Sequence, residues 1–234
     1  MNERLENNKI ERQTVGETPR EYQILASVGP AEHFAAGAGW MEKHAIAAKR
    51  LFAEPVDWIS KPDAHDAHGQ LHNKEKNEGD GVYIMSGINS NNKVSEGYAM
   101  CTGLVVAGVG PGGKNISLMT HQNPDAVLQS RRNSFPDSLR ARLREMRELT
   151  REGTVSAVIF AGALDSGDSP QWIQGYVAHA YRSSVQFLQK EIADTLGVQA
   201  QVVESPNLAF ADSTETVDVF FENDRRRLHV MRRA

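Results

Sequence analysis

Cysteine is almost missing from this chain: Cys101 is the one example in 234 residues. A single thiol cannot close an internal disulfide, which excludes a disulfide-stapled scaffold and suits a reducing cytoplasm. Also missing is any run of about 18 apolar residues, so no membrane-spanning helix is expected. The opening Met-Asn-Glu-Arg-Leu-Glu-Asn-Asn-Lys has no apolar core and predicts no secretory signal. Basic excess is absent as well. Residues 1–80 hold 10 basic and 14 acidic side chains, and residues 81–234 hold 16 of each. Neutralising a phosphate backbone takes clustered Lys and Arg, so nucleic acid is not an expected partner, and neither is a membrane.

What is present is 40% apolar residues over a length that can bury one substantial core with an appendage. Residues 1–20 are polar and predict a loose end. From 31 to 54, Phe34, Ala38, Met41, Ala45, Ala48, Leu51 and Phe52 recur at spacings of three and four, which predicts a helix ended by Pro55. Residues 60–81 carry Pro62, Gly69, Gly79 and Gly81 with almost no apolar side chains, and predict a flexible linker.

The texture then changes. Strands are expected at 82–88, over two apolar runs between Tyr98 and Pro124, and at 155–162, 200–204, 216–221 and 228–231, the last two joined by a hairpin turn. Pro136 to Leu149 predicts an amphipathic helix with Leu139, Leu143, Met146 and Leu149 on one face. A second, from about Trp172 to Leu196, has Ile173, Val177, Tyr181, Val185, Leu188 and Ile192 on its inner face and Gly197 as its stop. The expectation is a mixed, layered α/β domain over 81–234, with two main helices, behind an extension of residues 1–80 that is part helical and part disordered.

Three groups of residues could carry chemistry. Gly108-Val-Gly-Pro-Gly-Gly113-Lys114 imitates a phosphate-binding loop, but Asn115 stands where Ser or Thr would reach magnesium, and a strand pattern follows instead of a helix. Its glycines read better as a hairpin turn. His65, His68 and His72 have spacings that suit one helical face and a metal such as zinc or nickel; their polar surroundings favour a solvated loop. No cofactor or metal is therefore expected. The third group is Cys101 with His121. One opens the first apolar run and the other closes the second, so an antiparallel hairpin brings them side by side at a sheet edge. The plain reading of a lone cysteine is an inert core residue. Beside an imidazole, however, a thiol ionises more readily and becomes a nucleophile with its own proton carrier.

The order of Cys101, His121 and the strand Ala157-Val-Ile-Phe-Ala-Gly-Ala163, with a closing helix, strand and hairpin, resembles the chemoreceptor glutamine deamidases of the CheD family. These are similar in fold to the catalytic domain of cytotoxic necrotizing factor toxins. The resemblance spans roughly residues 82–233. Ser95 stands six residues before the cysteine, where that family tends to have a hydroxyl, while the family's Gly-Ser-Cys is here Ala99-Met100-Cys101. What the resemblance implies is a hydrolase that deamidates glutamine side chains of a protein substrate. Cys101 would be its nucleophile, His121 its base, and Ser95 would orient the histidine. The competing expectation is a non-catalytic protein-binding module on the same fold, with Cys101 buried and unreactive.

Overall fold

Ala157-Val-Ile-Phe160 is apolar without interruption because both faces of this strand are covered. Ala157 and Ile159 pack toward helices, whereas Phe160 packs toward a second sheet. The computed structural model describes residues 21–28, 45–47, 56–59, 78–80, 82–98, 100–161, 171–203 and 217–233. The N-terminal part supplies β1 (Glu21–Val28), β2 (Ala45–Ala47), β3 (Val56–Ile59), β4 (Glu78–Asp80) and β5 (Tyr83–Met85). Next come β6 (Asn92–Tyr98), β7 (Thr102–Val109), β8 (Asn115–Gln122), α1 (Asp125–Leu128) and α2 (Phe135–Leu149). The chain continues with β9 (Ser156–Ala161), α3 (Gln171–Leu196), β10 (Gln201–Val203), β11 (Val217–Glu222) and β12 (Arg227–Arg233).

Two six-stranded sheets result, in the orders β2-β1-β12-β11-β6-β3 and β10-β9-β7-β8-β5-β4. Each is antiparallel except at one pair, β3 with β6 in the first and β10 with β9 in the second. Tyr98, Val219, Phe221, Leu228 and Val230 of the first sheet meet Ile84, Val105, Met119 and Phe160 of the second in one buried layer. The second sheet's other face carries Leu104, Val106, Leu118 and Ile159 against Leu139, Leu143, Met146, Leu188 and Ile192 of the two long helices. The architecture is a mixed α/β one, sheet on sheet with helices on one outer face.

Both expected helices are present. Phe135, Leu139, Leu143 and Met146 are fully buried at intervals of four, four and three, as an apolar stripe requires. Leu149, expected on that stripe, is exposed at the final residue of α2. Gly197 ends α3 in the left-handed region, at φ +69°. Gly110 to Lys114 close the β7–β8 hairpin, with Gly112 and Gly113 at positive φ, and no helix follows to offer an anion site.

Two expectations are corrected. Ala45–Ala47 lies within the helix expected at 31–54, yet it pairs antiparallel with β1 as a strand. Alanine favours a helix, so it is the pairing with β1, and not local propensity, that makes this segment a strand. No element was expected between residue 88 and Tyr98, yet Asn92–Tyr98 is a seven-residue strand in the first sheet. The strands β1 and β3, both before the expected linker, pair with β12 and β6 from beyond it. The rest of 31–54, residues 1–20, and the histidines at 65, 68 and 72 lie outside the described residues.

Candidate active site

The register of β7 and β8 sets Gly103 opposite His121 and Thr102 opposite Gln122. Cys101 precedes Thr102 and belongs to the buried layer between the sheets. His121 faces that layer too, since its ring stacks on Tyr98 of the first sheet. The two residues thus share a face as diagonal neighbours, a placement whose backbone positions are roughly 7–8 Å apart, within reach of long side chains. They lie at the rim formed by the start of β7 and the end of β8, both of them inner strands of the second sheet.

His121 is held from the opposite sheet. Ser95 Oγ lies 3.0 Å from His121 Nδ1, and the same hydroxyl donates to the carbonyl of Ile59 at 2.8 Å. Ser95 has one proton and gives it to Ile59, so toward the imidazole it accepts. His121 therefore carries its proton on Nδ1, which leaves the lone pair on the buried Nε2. That is the tautomer a general base needs if Nε2 is to take a proton. Among the residues singled out from sequence, Ser95 and His121 are in hydrogen-bond contact, and Cys101 joins them on the same face.

A bulge makes this contact possible. Ser95 pairs with Val219 and Tyr98 with Val217, so Glu96 and Gly97 together oppose Asp218. Gly97 takes φ +79°, and its amide donates to the buried carboxylate of Asp218 at 2.9 Å. Without the extra residue, positions 95 and 98 would point to opposite faces; with it, both point inward. Tyr98 then lies over His121 with ring centres 3.9 Å apart and planes 16° apart, and meets Phe160 edge-on at 5.2 Å. Burial pushes the Tyr98 phenol well above its ordinary range, against a lowering contact from Ser95, while negative charge on Cys101 and on Asp218 adds to the rise. The phenol stays neutral, and its hydroxyl donates to the Thr120 carbonyl at 3.3 Å.

On the far face of the second sheet, Thr120 Oγ1 donates to Gln122 Oε1 at 2.8 Å, and Gln122 Nε2 donates to Thr102 Oγ1 at 3.0 Å. All three are fully buried and tie the ends of β7 and β8 together beneath the site. Sequence reasoning missed Tyr98, Phe160 and the Ile59 carbonyl. A glycine inside an otherwise strand-like segment, Gly97, was the available signal for a bulge that redirects side chains.

No group of three or more His, Cys, Asp or Glu among the described residues is arranged to hold a metal ion. Cys101 exposes 9% of its surface, while its neighbour Met100 exposes 47%. Compared with known proteins, the chain matches no family model, and a search of curated proteins returns no relative.

Proposed function

We propose that the chain is a cysteine hydrolase of the CheD-like kind, deamidating glutamine side chains of a protein substrate. The observation that carries this reading is the chain of contacts from the Ile59 carbonyl through Ser95 to His121 Nδ1, which leaves the lone pair on Nε2, in the buried layer that Cys101 shares. Nε2 takes the thiol proton, and the thiolate attacks the carboxamide carbon. The tetrahedral intermediate collapses as the imidazolium gives that proton to the departing ammonia, leaving a thioester. Water, deprotonated by His121, then releases glutamate and restores the thiol.

The test is ammonia release from a glutamine-rich protein. Wild type should liberate ammonia and convert glutamine to glutamate, with a gain of about one mass unit per site; Cys101→Ala should do neither. Equal release from the two proteins removes the proposal.

A second reading, the non-catalytic binding module, has one observation in its favour: Cys101 is buried. Iodoacetamide under native conditions separates the two. An activated thiol is modified quickly at neutral pH, whereas an inert core thiol reacts only as the protein unfolds. A cytoplasmic location belongs to the same proposal and rests on the lone, reduced cysteine. Among the described residues no helix is long and apolar enough to cross a membrane.

A further inference from the structure

Lys93 is fully buried in the interior of the first sheet, with no role in the chemistry above. Its Nζ lies 3.6 Å from Asp57 Oδ2 and donates to Asn89 Oδ1 at 2.9 Å and to the Asn91 carbonyl at 3.1 Å. Asp57 is almost as buried, and it accepts from Asn89 Nδ2 at 2.5 Å and Asn91 Nδ2 at 2.8 Å. A charge so placed is tolerated only where its partner is fixed.

The partner belongs to β3, a four-residue strand whose sheet neighbour among the described residues is β6. In that parallel pairing Asp57 stands opposite Lys93, and Ile59 stands opposite Ser95. A slip of one residue would turn Asp57 to the other face and strand Lys93 without its carboxylate. The ion pair therefore fixes the register, and the register brings the Ile59 carbonyl to the Ser95 hydroxyl.

We infer that β3 is a positioning strap for the imidazole: the buried Asp57–Lys93 pair locks the strand so that the Ile59 carbonyl takes the Ser95 proton, which holds His121 in the tautomer with its lone pair on Nε2. Asp57 and Lys93 are positioning residues acting through Ser95. If β3 detaches, the Ser95 hydroxyl is free to turn and donate to Nδ1, and the proton moves to the nitrogen that should accept from the thiol. As a strap for catalysis this rests on the hydrolase reading above; as a statement about His121 it does not.

The experiment uses the full chain labelled with ¹⁵N and reads the ring nitrogens of His121 by long-range ¹H–¹⁵N correlation. Wild type should show a protonated Nδ1 and a bare Nε2. Asp57→Ala should give mixed tautomers, and Ser95→Ala should do the same. In the ammonia assay Asp57→Ala should lose about tenfold or more of the rate, within the range a displaced general base costs. Placed on Ser95→Ala it should lose little further, because both substitutions break one chain of contacts. An unchanged His121 tautomer in Asp57→Ala, or a double variant that loses the product of the two single effects, overturns the inference. Where Asp57→Ala does not fold, Asp57→Asn keeps the side chain's shape and should shift the tautomer in the same direction; no shift overturns the inference. Ammonia release that does not depend on Cys101 sinks the hydrolase reading and leaves the tautomer measurement standing.

Discussion

Gly103 stands opposite Phe160 across β7 and β9, and the Phe160 ring lies where a β-carbon on residue 103 would be. The same ring supports Tyr98, which in turn covers His121. Gly103→Ala must push the ring aside, and the displacement passes through Tyr98 to the imidazole. The substitution should destabilise the fold by about 1–3 kcal/mol, the usual cost of overpacking. Urea denaturation measures it. Adding Phe160→Leu should recover part of the loss, which an effect confined to the glycine backbone would not allow.

Gly97→Ala addresses the bulge. Open space surrounds the missing β-carbon, so the cost comes from φ +79° alone. About 1–2 kcal/mol is expected, with Gly97→Asn losing less because asparagine visits this region more readily. If the bulge instead slips out of the ladder, Ser95 and Tyr98 no longer share a face. Rapid amide exchange at residues 95–98 would reveal that.

Breaking the buried ion pair and replacing it should have different consequences. Lys93→Met alone leaves the Asp57 carboxylate buried against two amides and should cost about 3–5 kcal/mol. Pairing it with Asp57→Leu removes both charges and should restore part of the stability, the remainder being lost because Asn89 and Asn91 no longer have the carboxylate that accepts from their side-chain amides. Thermal unfolding of the two variants is the measurement.

His229 predicts an acid-sensitive step. Burial lowers its pKa to about 4, with the charges of Arg227 and Arg225 adding to the effect. The Glu222 carboxylate, 3.7 Å away, acts in the other direction but is shared with Arg225 at 3.5 Å. The folded pKa lies below the unfolded value near 6.5, so between these values the unfolded chain binds the extra proton. Stability from this group is complete above about pH 6.5 and falls as the pH drops toward 4, by at most about 3 kcal/mol. His229→Gln should flatten that slope. A wild-type curve that is already flat there would contradict the assignment.

What could be read from sequence followed from where each element's partners lie. The strand around Phe160 and both long helices announce themselves, because burial shows directly as apolar pattern. Cys101 and His121 were legible as candidates from order and residue type, and Ser95 only through the family resemblance. β6 was not legible, since Asn92, Lys93 and Ser95 look like loop chemistry. Each is buried only because something distant satisfies it: Lys93 by Asp57, Ser95 by Ile59 and His121, and the Asn92 side-chain oxygen by the Asn223 amide. The Ala45–Ala47 segment failed because its alanines favour a helix, and pairing with β1 overrode that preference.

Between Tyr98, the end of β6, and Thr102, the start of β7, the chain passes from one sheet to the other with three residues between. Fully extended, that span reaches about 13–14 Å, and facing sheets stand about 10 Å apart. Little slack remains, so the sandwich cannot gape at this end without tearing its own ladders. The sulfur is the last atom group on that tether before the second sheet begins. The thiol is thereby carried on one of the ties between the layers, and at the other end Asn115 bonds to Asn223 and Asp224 of the β11–β12 turn, so the sandwich is held at both ends.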